Sequence, residues 1–287
     1  MFGKLTIVGV GLLGGSIGLA AKQHRLAQTV VGWVRRESAG REAIEAGALD
    51  SATLKPEEAA SGADFVVLCG PVSQIPNLAS AIAPFLESKA IMTDVGSVKG
   101  QILAEILDTV PNGNSHFVGS HPMAGSEKSG VSAARGDLFQ DASCVVTTDQ
   151  ALPENLDKVE AFWRALGANP LRMAAKDHDR LVSQTSHLPH LAASMLAACF
   201  ERENSDLLAK LCGPGFFDTT RIASGHPQLW KDIFFANRQN LLADIEKLLN
   251  QTSAFQKALL EKDEDAIIRL LEKGKWNRDK IANSPRI

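Results

Sequence analysis

Three observations predict an α/β fold in which a doubly wound parallel sheet precedes an all-helical domain. A short apolar strand leading to Val8 runs directly into a glycine-rich turn, Gly9-Val-Gly11-Leu12-Leu13-Gly14, and then into small-residue helical spacing at Gly14, Gly18 and Ala21. Apolar strand-like runs then alternate with helical stretches as far as residue 173, which is the pattern of βαβ units and a parallel sheet. Beyond Ala174 only long amphipathic stretches follow. The expected division is a sheet domain over residues 1–173 and an all-α domain over residues 174–287.

The glycine turn carries the first chemical meaning. In G-x-G-x-x-G the first glycine permits a tight turn, the second lets backbone approach a pyrophosphate, and the third lets the helix sit close on the strand. Unpaired N–H groups and a partial positive charge at the helix start face the phosphates. A Rossmann-type dinucleotide site is therefore expected, with Gly9, Gly11, Leu12, Leu13 and Gly14 against the cofactor. Residues 29–34 form the expected second strand, whose end reads the ribose. An acid is expected about 20 residues after the glycines where NAD is bound, yet this chain has Val34 followed by Arg35 and Arg36. A guanidinium fork matches a 2′-phosphate that a carboxylate would repel. NADP is the expected cofactor, with NAD the alternative.

Residues 38–47 have helical spacing, with Gly47 a natural stop. Residues 64–71, Asp-Phe-Val-Val-Leu-Cys-Gly-Pro, read as a buried parallel strand. Strand ends of this kind form the ligand crevice of open α/β sheets, which places Cys69, Gly70 and Pro71 beside the cofactor, with the Cys69 thiol expected to pack rather than react. A proline-interrupted helix is expected over residues 74–86 and a strand over 89–94. Val95-Gly96-Ser97-Val98-Lys99 then opens a helix, where Asp94 and Ser97 have the chemistry of helix caps. Residues 116–120 read as a strand that delivers His121 at its C-terminal end, on the sheet edge that carries the glycine turn. Pro122 lacks a donor and holds His121 extended, so this imidazole is a candidate for chemistry. The last expected strands are residues 142–148 and 170–173, either side of a helix around 156–167.

The helical part divides into stretches at residues 177–201, 206–211, 228–250 and 252–273. The first is apolar on more than one face, with Leu188, Leu191, Met195, Leu196 and Phe200, which predicts burial against a partner subunit and hence a homodimer. Pro189 inside it frees the carbonyl of Thr185 and predicts a kink. His187 and His190 share a face there; with no third ligand at suitable spacing, no metal is expected. Asp218 and Arg221 lie one helical turn apart, a spacing that allows a local ion pair of little worth.

Composition narrows the function further. A chain of 287 residues with net charge −3 can bury a large core and lacks the basic surface that nucleic acid requires. No room for a cleavable signal precedes the first strand and no apolar run reaches a membrane span, so a cytoplasmic protein is expected. Cys69, Cys144, Cys199 and Cys212 stand far apart and read as free thiols. Tyrosine is absent, leaving His, Asp, Glu, Lys or Cys for acid–base work.

Together these motifs resemble the prephenate/arogenate dehydrogenase family, the cyclohexadienyl dehydrogenases of tyrosine biosynthesis. The likeness is carried by GVGLLGGS from Gly9, DVGSVKG over 94–100, GSHPMAGSEKSG over 119–130, SHLPH over 186–190, F-x-D-x-T-R-I-A from Phe216, and P-x-L-W ending at Trp230. It spans nearly the whole chain in order. The resemblance implies oxidative decarboxylation of prephenate, arogenate or both. Hydride leaves C4 of a cyclohexadienol for NADP or NAD while CO2 leaves C1, giving 4-hydroxyphenylpyruvate or tyrosine. It further implies that His121 accepts a hydrogen bond from the ring hydroxyl and that Ser97 orients His121 or that hydroxyl. His187 and Arg221 would hold substrate carboxylates, Trp230 would wall the pocket, Asp218 would steady the arginine segment, and Glu127 would lie at the mouth. No mutase segment or regulatory domain is expected. A β-hydroxyacid dehydrogenase would share the plan but use a lysine on the first long helix of the second domain, where this chain has His187. A non-catalytic dinucleotide sensor is the other alternative.

Overall fold

Alternation of side chains along central strands sorts the core into two layers, one on each face of a parallel sheet. The structure, a computed structural model, describes residues 2–110, 117–126, 128–200 and 205–284. Its first part runs β1 (Phe2–Val8), α1 (Leu12–Gln23), β2 (Ala27–Trp33), α2 (Glu37–Glu45), β3 (Ser51–Thr53), α3 (Pro56–Ala60), β4 (Phe65–Leu68), α4 (Ile75–Ile82), β5 (Ile91–Asp94), α5 (Gly100–Thr109) and β6 (Phe117–Val118). The six strands pair in parallel in the order β3-β2-β1-β4-β5-β6, the doubly wound arrangement that puts a ligand crevice at the carboxyl ends of the strands. Leu5, Ile7, Phe65 and Val67 join Ile17, Phe162 and Trp163 in one layer. Val8, Val66 and Leu68 join Ile75, Ile102 and Ile106 in the other. The short pair β3 and α3 was not foreseen, because three residues of strand carry too little alternation to register.

The expected single sheet is corrected. The chain turns at Gly119, where an added Cβ would lie 2.7 Å from Thr147 Oγ1, and enters β7 (Ser120–Pro122) of a second sheet. There β7 pairs antiparallel with β8 (Ser143–Thr147), which pairs in parallel with β9 (Asn169–Met173) beyond α6 (Pro153–Ala165). His121 is thus the middle residue of a short strand opposite Val145, not the tip of a strand in the first sheet. The two sheets are joined by Ser120, whose N–H donates to Asp94 Oδ1 and whose hydroxyl bonds Thr93 Oγ1 at 2.7 Å and receives the Trp163 indole N–H at 2.9 Å.

Among the described residues only helices follow Met173: α7 (Ala175–Val182), a π-helical turn (Ser183–His187), α8 (Leu188–Ala198), α9 (Ser205–Leu211), α10 (Pro214–Thr220), a 3-10 turn (Arg221–Ser224) and α11 (Pro227–Ala236). Where a kink was expected from Pro189, the helix carries that π turn, which ends two residues before the proline. The expected stretches at 228–250 and 252–273 are corrected: helices break at Asn237 and again at Lys262, which has φ 54°. Residues through Asn237 form one compact unit. Arg238–Ile287 forms a second, built of α12 (Arg238–Glu261) and α13 (Glu264–Ala282), the latter capped by the Asp263 carboxylate accepting from Ala266 N–H at 2.8 Å. No helix among the described residues is long and apolar enough to cross a membrane.

Candidate active site

The glycine turn has the geometry its sequence demands. Gly9 has φ 88°, open to glycine at no steric cost. A Cβ on Gly14 would fall 2.2 Å from the Gly9 carbonyl oxygen, so only glycine lets α1 lie so close to β1. Gly11, between them, has open space where its Cβ would be, and it begins α1 without a side-chain cap or an acidic residue in the first turn. That combination leaves backbone N–H groups free for an anion.

A cleft of about 570 Å³ opens beside this turn, lined by Gly9, Gly11, Arg35, Arg36 and the segment Cys69–Gly70–Pro71. The residues therefore fit a dinucleotide. The side chains of Leu12 and Leu13 pack partly buried against the core and Gly14 is buried beneath the turn, so their expected contact with the cofactor is through the backbone. Trp33 and Glu42 also line the cleft, which the glycine spacing alone could not reveal. Burial, reinforced by the charge of Asp94, pushes the Cys69 thiol far above its usual pKa, so it packs as a neutral group. A second cavity of about 640 Å³, lined by Phe2, Asp64, Lys89 and Phe162 among others, includes the N-terminal ends of β1 and β5, away from the crevice edge of the sheet.

The chemistry gathers around His121. Its Nδ1 lies 2.8 Å from Nε2 of His178, and Nδ1 of His178 lies 2.8 Å from Oδ1 of Asp179. The Asp179 carboxylate accepts the backbone N–H groups of Lys99 and Gly100, each at 2.8 Å, where α5 begins. Beneath this, the wholly buried Lys99 ammonium is paired with Asp94 and donates to the Ser120 carbonyl at 2.8 Å. Burial pulls the Lys99 pKa down against the opposing pull of Asp94. His121 is held well below the usual histidine pKa, first by burial and then by the proximity of His178, Lys99 and His187, each of which repels a second proton when it carries one. Its imidazole is neutral at physiological pH.

Asn237 extends the network: its Nδ2 bonds the Asp179 backbone carbonyl at 2.7 Å and Nδ1 of His187 at 3.1 Å. Since the amide nitrogen is the donor, the His187 proton sits on Nε2, a buried nitrogen with no partner. Burial lowers the His187 pKa to about 4. His190 lies flat on Trp230, with centroids 3.5 Å apart, and its buried Nδ1 is also unpartnered. Gly225 makes this stack possible, because a Cβ there would lie 2.4 Å from the Trp230 indole nitrogen and 2.9 Å from His190.

Hydrogen bonds through His178, Asp179 and Asn237 thus link His121 to His187, and the Trp230 ring stands edge-on to that of His187. Ser97 is half-buried near the start of α5, and the His121 ring is hydrogen-bonded to His178 rather than to Ser97. Arg221 and Asp218 are exposed, and among the described residues they form no ion pair with each other or another charge. Glu127 lies outside the described residues, as does His116 of the expected strand. Sequence reasoning assigned no role to His178, Asp179 and Asn237. The signal for the first two was an adjacent His-Asp pair in the helix following the last strand. No group of three or more His, Cys, Asp or Glu among the described residues is arranged to hold a metal.

Comparison with known proteins adds the following. Residues 17–171 match the family model described as prephenate dehydrogenase, nucleotide-binding domain, and residues 174–273 match that described as prephenate dehydrogenase, dimerization domain. A cyclohexadienyl dehydrogenase of Zymomonas mobilis is 31% identical over 272 residues, covering 93% of this chain and 92% of that protein. A crystal structure of prephenate dehydrogenase from A. aeolicus, in complex with hydroxyphenyl propionate and NAD+, is similar with a TM-score of 0.89 at 29% identity, covering 98% of this chain and 99% of the other. The Synechocystis arogenate dehydrogenase structure has a TM-score of 0.82 at 28% identity, covering 97% and 99%.

Proposed function

The chain belongs to the prephenate dehydrogenase family and is an NAD(P)-dependent oxidoreductase, and from that premise we propose that it oxidatively decarboxylates prephenate, arogenate or both, with His121 as its base and NADP as its preferred cofactor. The observation that carries the reading is His121 itself. Its Nδ1 is occupied by His178, its pKa is depressed, and Nε2 remains as the nitrogen available to a ligand.

When bound, the nicotinamide supplies the acceptor for hydride leaving C4 of the ring. The chain's own residues manage the charge. As hydride departs, positive charge develops at the 4-hydroxyl, and a neutral imidazole relieves it by taking up the hydroxyl proton; such help is worth about 10²–10⁴ in rate. As CO2 leaves C1, the electron pair of the broken bond passes through the ring to the C4 oxygen, which takes the proton back from the His121 imidazolium; the completed aromatic ring drives the reaction. The unpartnered Nε2–H of His187 is matched to a substrate carboxylate, and Trp230, edge-on to the His187 ring, would wall the substrate there. We assign Arg221 to the side-chain carboxylate. A cation on the departing carboxylate would favour ground state over transition state and so gain no rate.

The glycine turn and the start of α1 would hold the pyrophosphate, and Arg35 and Arg36 a 2′-phosphate. Leu181, Met195, Leu196 and Phe200 stand exposed in the first compact unit, as do Leu259, Leu260 and Trp276 in the second. That much uncovered apolar surface on helices fits a homodimer formed through residues 174–287. The test offers the purified protein prephenate and arogenate, each with NADP and NAD, and follows nicotinamide reduction. Turnover of neither dienol overturns the reading, and higher kcat/KM with NAD overturns the cofactor preference.

A further inference from the structure

The pair His178–Asp179 is buried, lies on a different element from His121, and contacts its ring on the side away from the nitrogen assigned to substrate. Its polarity can be worked out from the fixed end. Asp179 is anchored at the start of α5, with Oδ1 accepting Lys99 N–H and Oδ2 accepting Gly100 N–H. Gly100 is needed there, since a Cβ would lie 2.9 Å from Oδ2. Both carboxylate oxygens already face donors, so the group is acceptor-only, and the His178 nitrogen facing Oδ1 must carry a proton. That nitrogen is Nδ1. A neutral His178 then has a bare Nε2, which can only accept. The atom opposite it, Nδ1 of His121, must donate. Its proton is therefore on Nδ1, and Nε2 carries the lone pair.

We infer that His178 and Asp179 are positioning residues that fix the tautomer of His121, so that its Nε2 is presented as a proton acceptor rather than as a donor. The inference rests on the reading of His121 as the base but adds what that reading lacks, a cause for the direction of proton flow. Without the pair, His121 would distribute between two tautomers, one of them offering N–H to a hydroxyl it is meant to deprotonate. The arrangement also links the two parts of the sequence. His121 comes from β7, His178 and Asp179 from α7, and Asn237 ties the Asp179 backbone to His187.

Neutron diffraction on the deuterium-exchanged full-length protein at neutral pD reads the tautomers directly. Deuterons are expected on Nδ1 of both His178 and His121, with His121 Nε2 bare. A deuteron on Nε2 of His121, or a doubly protonated His178, overturns the inference whatever the enzyme's activity. Two variants give the kinetic arm. His178→Gln keeps an acceptor facing His121 and is expected to retain most of kcat. His178→Phe removes the acceptor and is expected to lower kcat roughly ten- to hundredfold, the scale of one lost charge-orienting hydrogen bond, with NADP affinity unchanged. Wild-type kcat in His178→Phe overturns the inference, and should that variant fail to fold, the neutron result decides. A bare Nε2 together with full turnover in His121→Ala would leave the tautomer intact and defeat the assignment of His121 as base instead, so the two failures are distinguishable.

Discussion

The imidazole of His190 lies on the indole of Trp230 with ring centroids 3.5 Å apart and planes 12° from parallel. An aromatic contact of this kind is worth about 1 kcal/mol beyond its buried area, and Gly225 is what leaves room for it. The substitution Gly225→Ala is expected to displace the indole and raise KM for the cyclohexadienol several-fold while leaving KM for NADP unchanged. Steady-state kinetics with each ligand varied in turn makes the comparison; equal effects on both KM values would detach Trp230 from the substrate pocket.

On the proposed reading, cofactor choice is made where β2 ends. Arg35 and Arg36 are exposed and line the cleft, and no acid follows Trp33 at the ribose-reading position. Each charge-assisted bond to a 2′-phosphate contributes about 1.5–3 kcal/mol. Arg35→Ala should lower kcat/KM with NADP roughly ten- to hundredfold and leave the value with NAD little changed, and Arg36→Ala should act in the same direction. Parallel loss with both cofactors would mean that the arginines serve the fold.

Acid should weaken the protein through His187. Its native pKa is near 4, against an ordinary histidine value of 6.5. Above pH 6.5 native and unfolded chains are both neutral at this residue, and its contribution to stability is complete. Between pH 6.5 and 4 the unfolded chain takes up a proton that the native chain refuses, so stability falls with pH, by on the order of 3 kcal/mol in total. Denaturant unfolding across this window should show that loss, and His187→Gln should reduce it. A pH-independent wild type would show that His187 is solvated in the native state.

Lys99 and Asp94 form a buried pair that also acts on His121, because the ammonium is one of the charges lowering the His121 pKa. Lys99→Met strands a carboxylate and should cost about 3–5 kcal/mol. If the variant folds, the acid limb of its pH–rate profile should move toward higher pH, since a positive charge near the base has gone. A limb unmoved or shifted to lower pH would contradict the electrostatic role.

Much of this architecture was legible in the residues. Gly9 and Gly14 announce their turn because each performs a steric task only glycine can perform, and those tasks are local. The second sheet was not legible, because β6 and β7 are short and only Gly119 between them marks the change. His178 and Asp179 read as ordinary helix residues, since their partners, His121 and the start of α5, lie 57 and about 80 positions away. The break at Asn237 was invisible for a related reason: what occupies its side chain is a bond to His187, 50 positions earlier.

The central claim is that His121 is the base of a hydride-transfer site, and turnover by His121→Ala measured alongside NADP binding tests it most directly. The account predicts unchanged affinity for NADP with kcat lowered by about 10²–10⁴. Turnover at the wild-type rate would contradict it.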